Sequence, residues 1–176
     1  IDCEKLENAI NQKTKAIVPV HLFGQPANME KIMSIAKKYN LYVIEDNAQA
    51  IGSSYQFKSG DKLKTGTIGN IGATSFFPSK NLGCFGDGGA LFTNDDDLAH
   101  KVRGIVNHGM YKRYHHDVVG VNSRLDSLQA AVLDAKLPHL DSYNKSRQQA
   151  AKKYSEALKD LNEIITPKFS NGCIDI

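Results

Sequence analysis

The strongest constraint on the fold is a switch between two hydrophobic periods near the start of the chain. Lys15-Ala16-Ile17-Val18-Pro19-Val20 is a short apolar run of strand length. After Asn28, apolar residues fall at Met29, Ile32, Met33, Ile35 and Ala36, the spacing of one helical face, and this pattern continues to about Tyr39. Residues 41–45 form a second apolar strand. Parallel neighbours need a crossover connection, so strand, helix and strand in this order predict a right-handed βαβ unit in a mostly parallel sheet. Residues 73–77 and 89–93 read as further strands. Between them and the first unit, Lys58-Ser59-Gly60-Asp61 is a hairpin turn signal flanked by 54–57 and 62–65.

The remaining segments read as helices and one loop. Asp2 caps a short helix with Leu6, Ala9 and Ile10 on its apolar side. Asn94-Asp95-Asp96-Asp97 starts a helix to about Asn107, with acidic residues at its positive end. Residues 108–120 read as a polar, His-rich loop and 126–136 as a helix. Pro138 suits the first position of a long amphipathic helix to about Leu161. The expected class is α/β, a mostly parallel sheet flanked by helices. Residues 1–137 would form the larger unit, and 138–176 a linking helix and the start of a smaller one. A chain that begins at Ile1 in a helical pattern and stops at Asn171-Gly172-Cys173-Ile174-Asp175-Ile176 reads as a piece of a longer protein.

Bulk properties exclude several classes. The chain is 41% hydrophobic and 23% charged, an ordinary globular composition. A net charge of +3 does not argue for nucleic acid, and no nucleic-acid-binding motif is present. Cys3, Cys84 and Cys173 lie too far apart for a CxxC metal pair and form no disulfide framework, which suggests a reducing cytoplasm. No apolar run has membrane-spanning length, so neither a membrane nor a nucleic-acid partner is expected.

Chemistry concentrates at strand ends, where open α/β sheets bind ligands. Lys80 lies in Ser75-Phe76-Phe77-Pro78-Ser79-Lys80-Asn81-Leu82-Gly83, a tight, hydroxyl-rich turn with two aromatic residues to exclude water. Asp46 follows the strand Tyr42-Val43-Ile44-Glu45. A lysine amine able to form an imine, together with a carboxylate able to hold a pyridinium proton, suggests a Schiff-base site for pyridoxal phosphate (PLP). Taken singly, a solvated loop lysine and a turn-capping aspartate remain open. Gly83, Gly86, Gly88 and Gly89 match neither GxGxxG nor GxxxxGK[ST] and read as a structural turn. His108, His115 and His116 have no acidic or Cys partner at ligand spacing, so no metal is expected.

Taken together, these segments resemble the DegT/DnrJ/EryC1/StrS family of nucleotide-sugar aminotransferases. The resemblance is carried by Val18-Pro19-Val20-His21-Leu22-Phe23-Gly24-Gln25, Ile44-Glu45-Asp46-Asn47-Ala48-Gln49-Ala50 and the Ser75–Gly83 stretch. It continues through Gly86-Asp87-Gly88-Gly89-Ala90 and Gly120-Val121-Asn122-Ser123-Arg124-Leu125-Asp126-Ser127-Leu128-Gln129-Ala130-Ala131. It implies a fold-type I large domain, in part, and PLP as cofactor. Lys80 would carry the covalent link and shuttle protons, and Asp46 would pair with the ring nitrogen. Gln49 would lie near the ring and its phenolic oxygen, and Ser75 would bond the phosphate. Asn122 would reach the cofactor phosphate of a neighbouring subunit, which makes a homodimer part of the site. Glutamate and a keto-sugar nucleotide would be the substrates, for amino-sugar and surface-polysaccharide synthesis.

Other readings stay open beside this one. His21 either approaches the substrate or is a satisfied strand-end histidine. Tyr114 and His115 either meet the sugar nucleotide or belong to a solvated loop. Arg124 either binds a carboxylate or braces a dimer. The family's sugar dehydratases carry His where Lys80 stands, so the lysine argues against dehydration. An inactive PLP-fold fragment and an unrelated doubly wound nucleotide-binding domain complete the alternatives. The second of these lacks its phosphate fingerprint.

Overall fold

A computed structural model describes residues 1–168 and 172–174. Helix α1 (Cys3–Ala9) is capped by Asp2, whose carboxylate accepts from the Glu4 N–H at 2.9 Å. Strand β1 (Ala16–Ile17) leads into the loop 18–28 and then helix α2 (Met29–Tyr39). Asn28 caps α2 by accepting from the Lys31 N–H at 3.1 Å, and Asn40 ends it in the left-handed conformation, φ 52°. Met29, Ile32, Ile35 and Ala36 of α2 are buried with Ile17, Val43 and Tyr55 in one apolar cluster.

Strand β2 (Tyr42–Asp46) lies parallel to β1 and to β5 (Ile71–Ser75), and β6 (Gly89–Phe92) closes the far edge antiparallel. The four-stranded order is β1-β2-β5-β6, so two of its three pairings are parallel, as the sequence predicts. β1 is shorter than the apolar run. Pro19 has no N–H to continue a ladder, and contact resumes only at an isolated bridge between Val20 and Asp46. The hairpin of β3 (Ser54–Gln56) and β4 (Lys62–Lys64) forms around the expected turn. The short strand Cys173–Ile174 adds to its other side. Asn171, Asp175 and Ile176 of the expected segment lie outside the described residues.

Helix α3 (Asp96–Val106) is capped by Asp95, whose side chain accepts from the Leu98 N–H at 2.9 Å. The expected loop 108–120 contains a small hairpin, β7 (Met110–Lys112) and β8 (His115–His116). Tyr111 docks this hairpin on α3 by stacking on His100 at 4.8 Å between ring centroids. A Cβ on Gly104 would meet that tyrosine ring at 2.2 Å, so the helix needs glycine there. Helix α4 (Ser127–Lys136) follows. Pro138 sits in a 3-10 turn, Leu137–His139, rather than at the start of the long helix, and α5 runs over Leu140–Leu158. Phe76, Leu82, Cys84, Leu133 and Leu140 form a second apolar cluster, beneath the Lys80 loop.

Candidate functional site

The Lys80 loop is a closed turn. The Cys84 N–H donates to the Phe76 carbonyl at 2.8 Å, and the Lys80 N–H donates to the Phe77 carbonyl at 2.9 Å. A Cβ on Gly83 would lie 2.5 Å from the Pro78 carbonyl oxygen, so only glycine lets the chain fold back this tightly. Gln129 braces the next stretch, donating its amide to the carbonyls of Phe85 at 2.8 Å and Asp87 at 2.7 Å. Lys136 donates to the Gly83 carbonyl at 2.5 Å. The glycine-rich stretch is thus a turn held from α4. Phe76 is buried but Phe77 is 48% exposed, so one of the two expected aromatic shields faces outward.

Lys80 is half-buried at a cavity of about 410 Å³ shared with Phe23, Gln49, Ser79, Asn144 and Arg147, among others. Its amine has neither hydrogen-bond nor ion-pair partner among the described residues. Asn144 fixes α5 beside this loop. Its side chain accepts from the Asn81 amide at 2.8 Å and donates to the Ile51 carbonyl at 3.1 Å.

Asp46 is the last residue of β2, in register with Ala73 of β5. One carboxylate oxygen accepts from the Ala48 N–H at 3.0 Å, and the other has no partner among the described residues. Gln49 accepts through its side-chain oxygen from the Phe23 N–H at 2.8 Å, which leaves its amide hydrogens unspent. The Ser75 hydroxyl oxygen, at the end of the neighbouring strand, accepts from the Phe77 N–H at 3.2 Å and keeps its own hydrogen to donate. These four residues come from adjacent strand ends and the loops beyond them.

His21 does not face this cavity as a substrate ligand. It is fully buried, and both ring nitrogens are engaged: Nε2 with Glu45 at 2.8 Å, and Nδ1, accepting the Ala27 N–H, at 3.0 Å. Because Nδ1 accepts, the proton sits on Nε2, and the ring is a neutral donor to the carboxylate. Glu45 is also fully buried, and it accepts further N–H bonds from Gly66 at 2.8 Å and from Ile68 and Gly69 at 2.6 Å each. Burial pushes its carboxyl up, but the His21 hydrogen bond and the backbone donors Gly69 and Gly66 outweigh this and hold it below the ordinary 4.5. Sequence reasoning passed over Glu45. The signal was the strand's alternation, which puts Glu45 on the same face as buried Val43. Asn144 and Arg147, three positions apart on α5, were also passed over.

Asn122, Tyr114, His115 and Arg124 are not part of this cavity. Asn122 pairs through its backbone with Asn107 beyond the end of α3, and its side chain is exposed. Tyr114 is 77% exposed, with Arg113 over its ring at 4.9 Å, and His115 and Arg124 are exposed too. The surface between them carries Val119 (97% exposed), Val121 and Leu128. Among the described residues, no helix is long and apolar enough to cross a membrane, and no cluster of three or more His, Cys, Asp or Glu is placed to hold a metal.

The sequence pattern of the DegT/DnrJ/EryC1/StrS aminotransferase family matches residues 1–172. The chain is 50% identical to the pleiotropic regulatory protein of Geobacillus stearothermophilus, over 98% of this chain and 45% of that protein. It is 52% identical to the UDP-N-acetyl-3-dehydro-alpha-D-glucosamine 3-aminotransferase of Acidithiobacillus ferrooxidans, over 89% of this chain and 41% of that protein. Among solved structures, S. venezuelae DesV in complex with a ketimine intermediate superposes with a TM-score of 0.90 at 42% identity, covering 99% of this chain and 46% of DesV. The chain spans less than half the length of the curated relatives it matches.

Proposed function

This chain belongs to the DegT/DnrJ/EryC1/StrS aminotransferase family, and on that premise we propose that the full protein uses PLP to move an amino group from glutamate to the keto group of a nucleotide-linked sugar. One relative is named as a regulatory protein and another as an aminotransferase. The observation that favours transfer is the unpaired amine of Lys80 at a cavity shared with Gln49. The donor set fits PLP: an amine for its aldehyde, a carboxylate for its ring nitrogen, and hydroxyl and amide hydrogens for its oxygens.

When bound, PLP supplies an electron sink that lets one amine pass between two carbonyl carbons. The chain's own residues do the rest. Lys80 Nζ would attach the cofactor and, when released from it, carry protons. The carboxylate oxygen of Asp46 that has no partner among the described residues would accept the ring N–H, and its negative charge would keep the ring protonated. Gln49 would donate its amide hydrogens to the phenolic oxygen, and Ser75 its hydroxyl hydrogen to the phosphate. In a homodimer, Asn122 of the partner subunit would complete the phosphate site, Tyr114 and His115 would face the sugar nucleotide, and Arg124 would bind a carboxylate or brace the dimer. Residues 1–137 are the C-terminal part of the PLP-binding domain, and 138–176 are a linking helix and the start of a smaller one. The work is cytoplasmic and feeds amino-sugar, and so surface-polysaccharide, synthesis.

The test is the full-length protein with glutamate and a panel of keto-sugar nucleotides. An amino-sugar nucleotide and 2-oxoglutarate in equal amounts are expected. A deoxygenated sugar without amine incorporation, or no turnover with any member of the panel, would contradict the proposal.

A further inference from the structure

Glu45 and His21 join three chain segments, β2, the loop 21–27 and the loop 66–69, at one buried junction. The Glu45 carboxylate accepts from the His21 ring and from the N–H groups of Gly66, Ile68 and Gly69. Residues 66–69 run directly into β5, which ends at Ser75. On the other side, the His21 ring closes the loop 21–27 by accepting the Ala27 N–H at 3.0 Å. The backbone of the same loop donates to the end of β2 and to the turn after it: the His21 N–H to the Asp46 carbonyl at 3.0 Å, and the Phe23 N–H to the Gln49 side chain at 2.8 Å.

Phe23 makes that second bond from a left-handed conformation, φ 57° and ψ 24°, with its ring 82% exposed. A non-glycine residue holds such a conformation only when its surroundings over-determine it. Its ring is not buried, so packing is not what holds it. The restraints present are the His21–Ala27 closure, the Gln25 N–H donating to the Leu22 carbonyl at 3.0 Å, and the Ser53 hydroxyl donating to the Gly24 carbonyl at 2.8 Å.

We propose that His21 and Glu45 are positioning residues: a neutral imidazole and a buried carboxylate that hold the Phe23 loop against Gln49 and the 66–69 loop under β5, so that Gln49, Asp46 and Ser75 keep one geometry. The Gln49 oxygen is taken by the Phe23 N–H, so its amide can only donate into the cavity. Loss of the junction frees that side chain to turn and present either end. This inference rests on the reading of the Lys80 cavity as a PLP site, but one arm of its test does not.

The cofactor-independent arm is amide exchange in the unaltered full-length protein. The N–H groups of Phe23, Ala27, Gly66, Ile68 and Gly69 should share one protection factor, since one junction holds them. Independent exchange would overturn the proposal. In His21→Gln, protection at Phe23 should fall together with that at Ala27. Loss at Ala27 with Phe23 unchanged would overturn it as well.

The cofactor arm uses full-length His21→Gln and Glu45→Gln loaded with PLP. Affinity for PLP should fall about tenfold, the scale on which outer partners of a bound group act. The visible circular dichroism of the bound cofactor should also change. Unaltered dichroism and affinity in variants that fold would reduce the pair to a purely structural role. If the unaltered protein forms no pyridoxyl adduct at Lys80, the proposed function fails, and the exchange arm still decides this one.

Discussion

Two parts of the molecule carry the residues that the family resemblance selects, and they are built in opposite ways. Around β1, β2 and β5, polar groups are spent internally: Glu45 accepts four hydrogen bonds, and His21 is closed at both nitrogens. Among the described residues, what stays unspent there includes the Lys80 amine, one oxygen of Asp46, the amide hydrogens of Gln49, the Ser75 hydroxyl hydrogen and the buried side-chain oxygen of Asn47. Across residues 108–128 most side chains are exposed, among them Val119, Val121, Leu128 and Tyr114 beside Asn122 and Arg124. The contrast teaches that Asp46, Gln49 and Ser75 are held in place by their own chain, whereas the surface of residues 108–128 contributes no lining to the Lys80 cavity.

Substitutions should separate the two parts. The largest effect is expected at Lys80. Lys80→Ala in the full-length protein should lower amino transfer by at least about 10²–10⁴-fold, because the proton carrier is lost. Its melting temperature should hold, since the amine has no partner to lose among the described residues. An active Lys80→Ala protein would break the assignment.

Next comes Glu45→Gln, which leaves the donors around it facing an amide. Breaking a buried pair in this way costs about 3–5 kcal/mol, measurable by urea unfolding at pH 7. The pH dependence has a definite sign. The folded Glu45 carboxyl lies below its ordinary 4.5, so its contribution is whole above that value and is lost as pH falls through the folded one. The unaltered protein should therefore weaken in that acid window, and Glu45→Gln should lose less there.

Asp46→Asn ranks third. It should abolish most of the activity while moving stability by under about 1 kcal/mol, since one of its oxygens has no partner among the described residues. Asn122→Ala should change stability least, within about 0.5 kcal/mol for an exposed side chain, yet weaken PLP retention. Mixing inactive Lys80→Ala and Asn122→Ala subunits should restore activity by rebuilding one intact shared site. A mixture no more active than its components would remove the partner role of Asn122.

The same contrast explains what was legible from the sequence. The βαβ unit stood out because Met29, Ile32, Ile35 and Ala36 keep helical spacing and Val43 sits in an apolar strand. The Lys80 turn stood out because Pro78 and Gly83 punctuate it. Glu45 was hidden because a carboxylate on the core face stays buried only through distant backbone donors at Gly66, Ile68 and Gly69, which no local pattern displays. His21 stayed open between two readings for the same reason: its partner, Glu45, lies on β2, far along the chain. The β7–β8 hairpin escaped because its residues are polar and do not alternate, and its docking comes from one tyrosine stacked on a helix. Asn144 joined the cavity through α5, whose position depends on bonds to Ile51 and Asn81 far away in the chain.

The central claim is that the unspent amine of Lys80 is the covalent anchor of PLP. Borohydride reduction of the full-length protein with PLP, followed by peptide mass mapping, tests it directly. The account predicts a pyridoxyl adduct on the peptide containing Lys80 and none in Lys80→Ala. An adduct on another lysine, or no adduct in the unaltered protein, would contradict it.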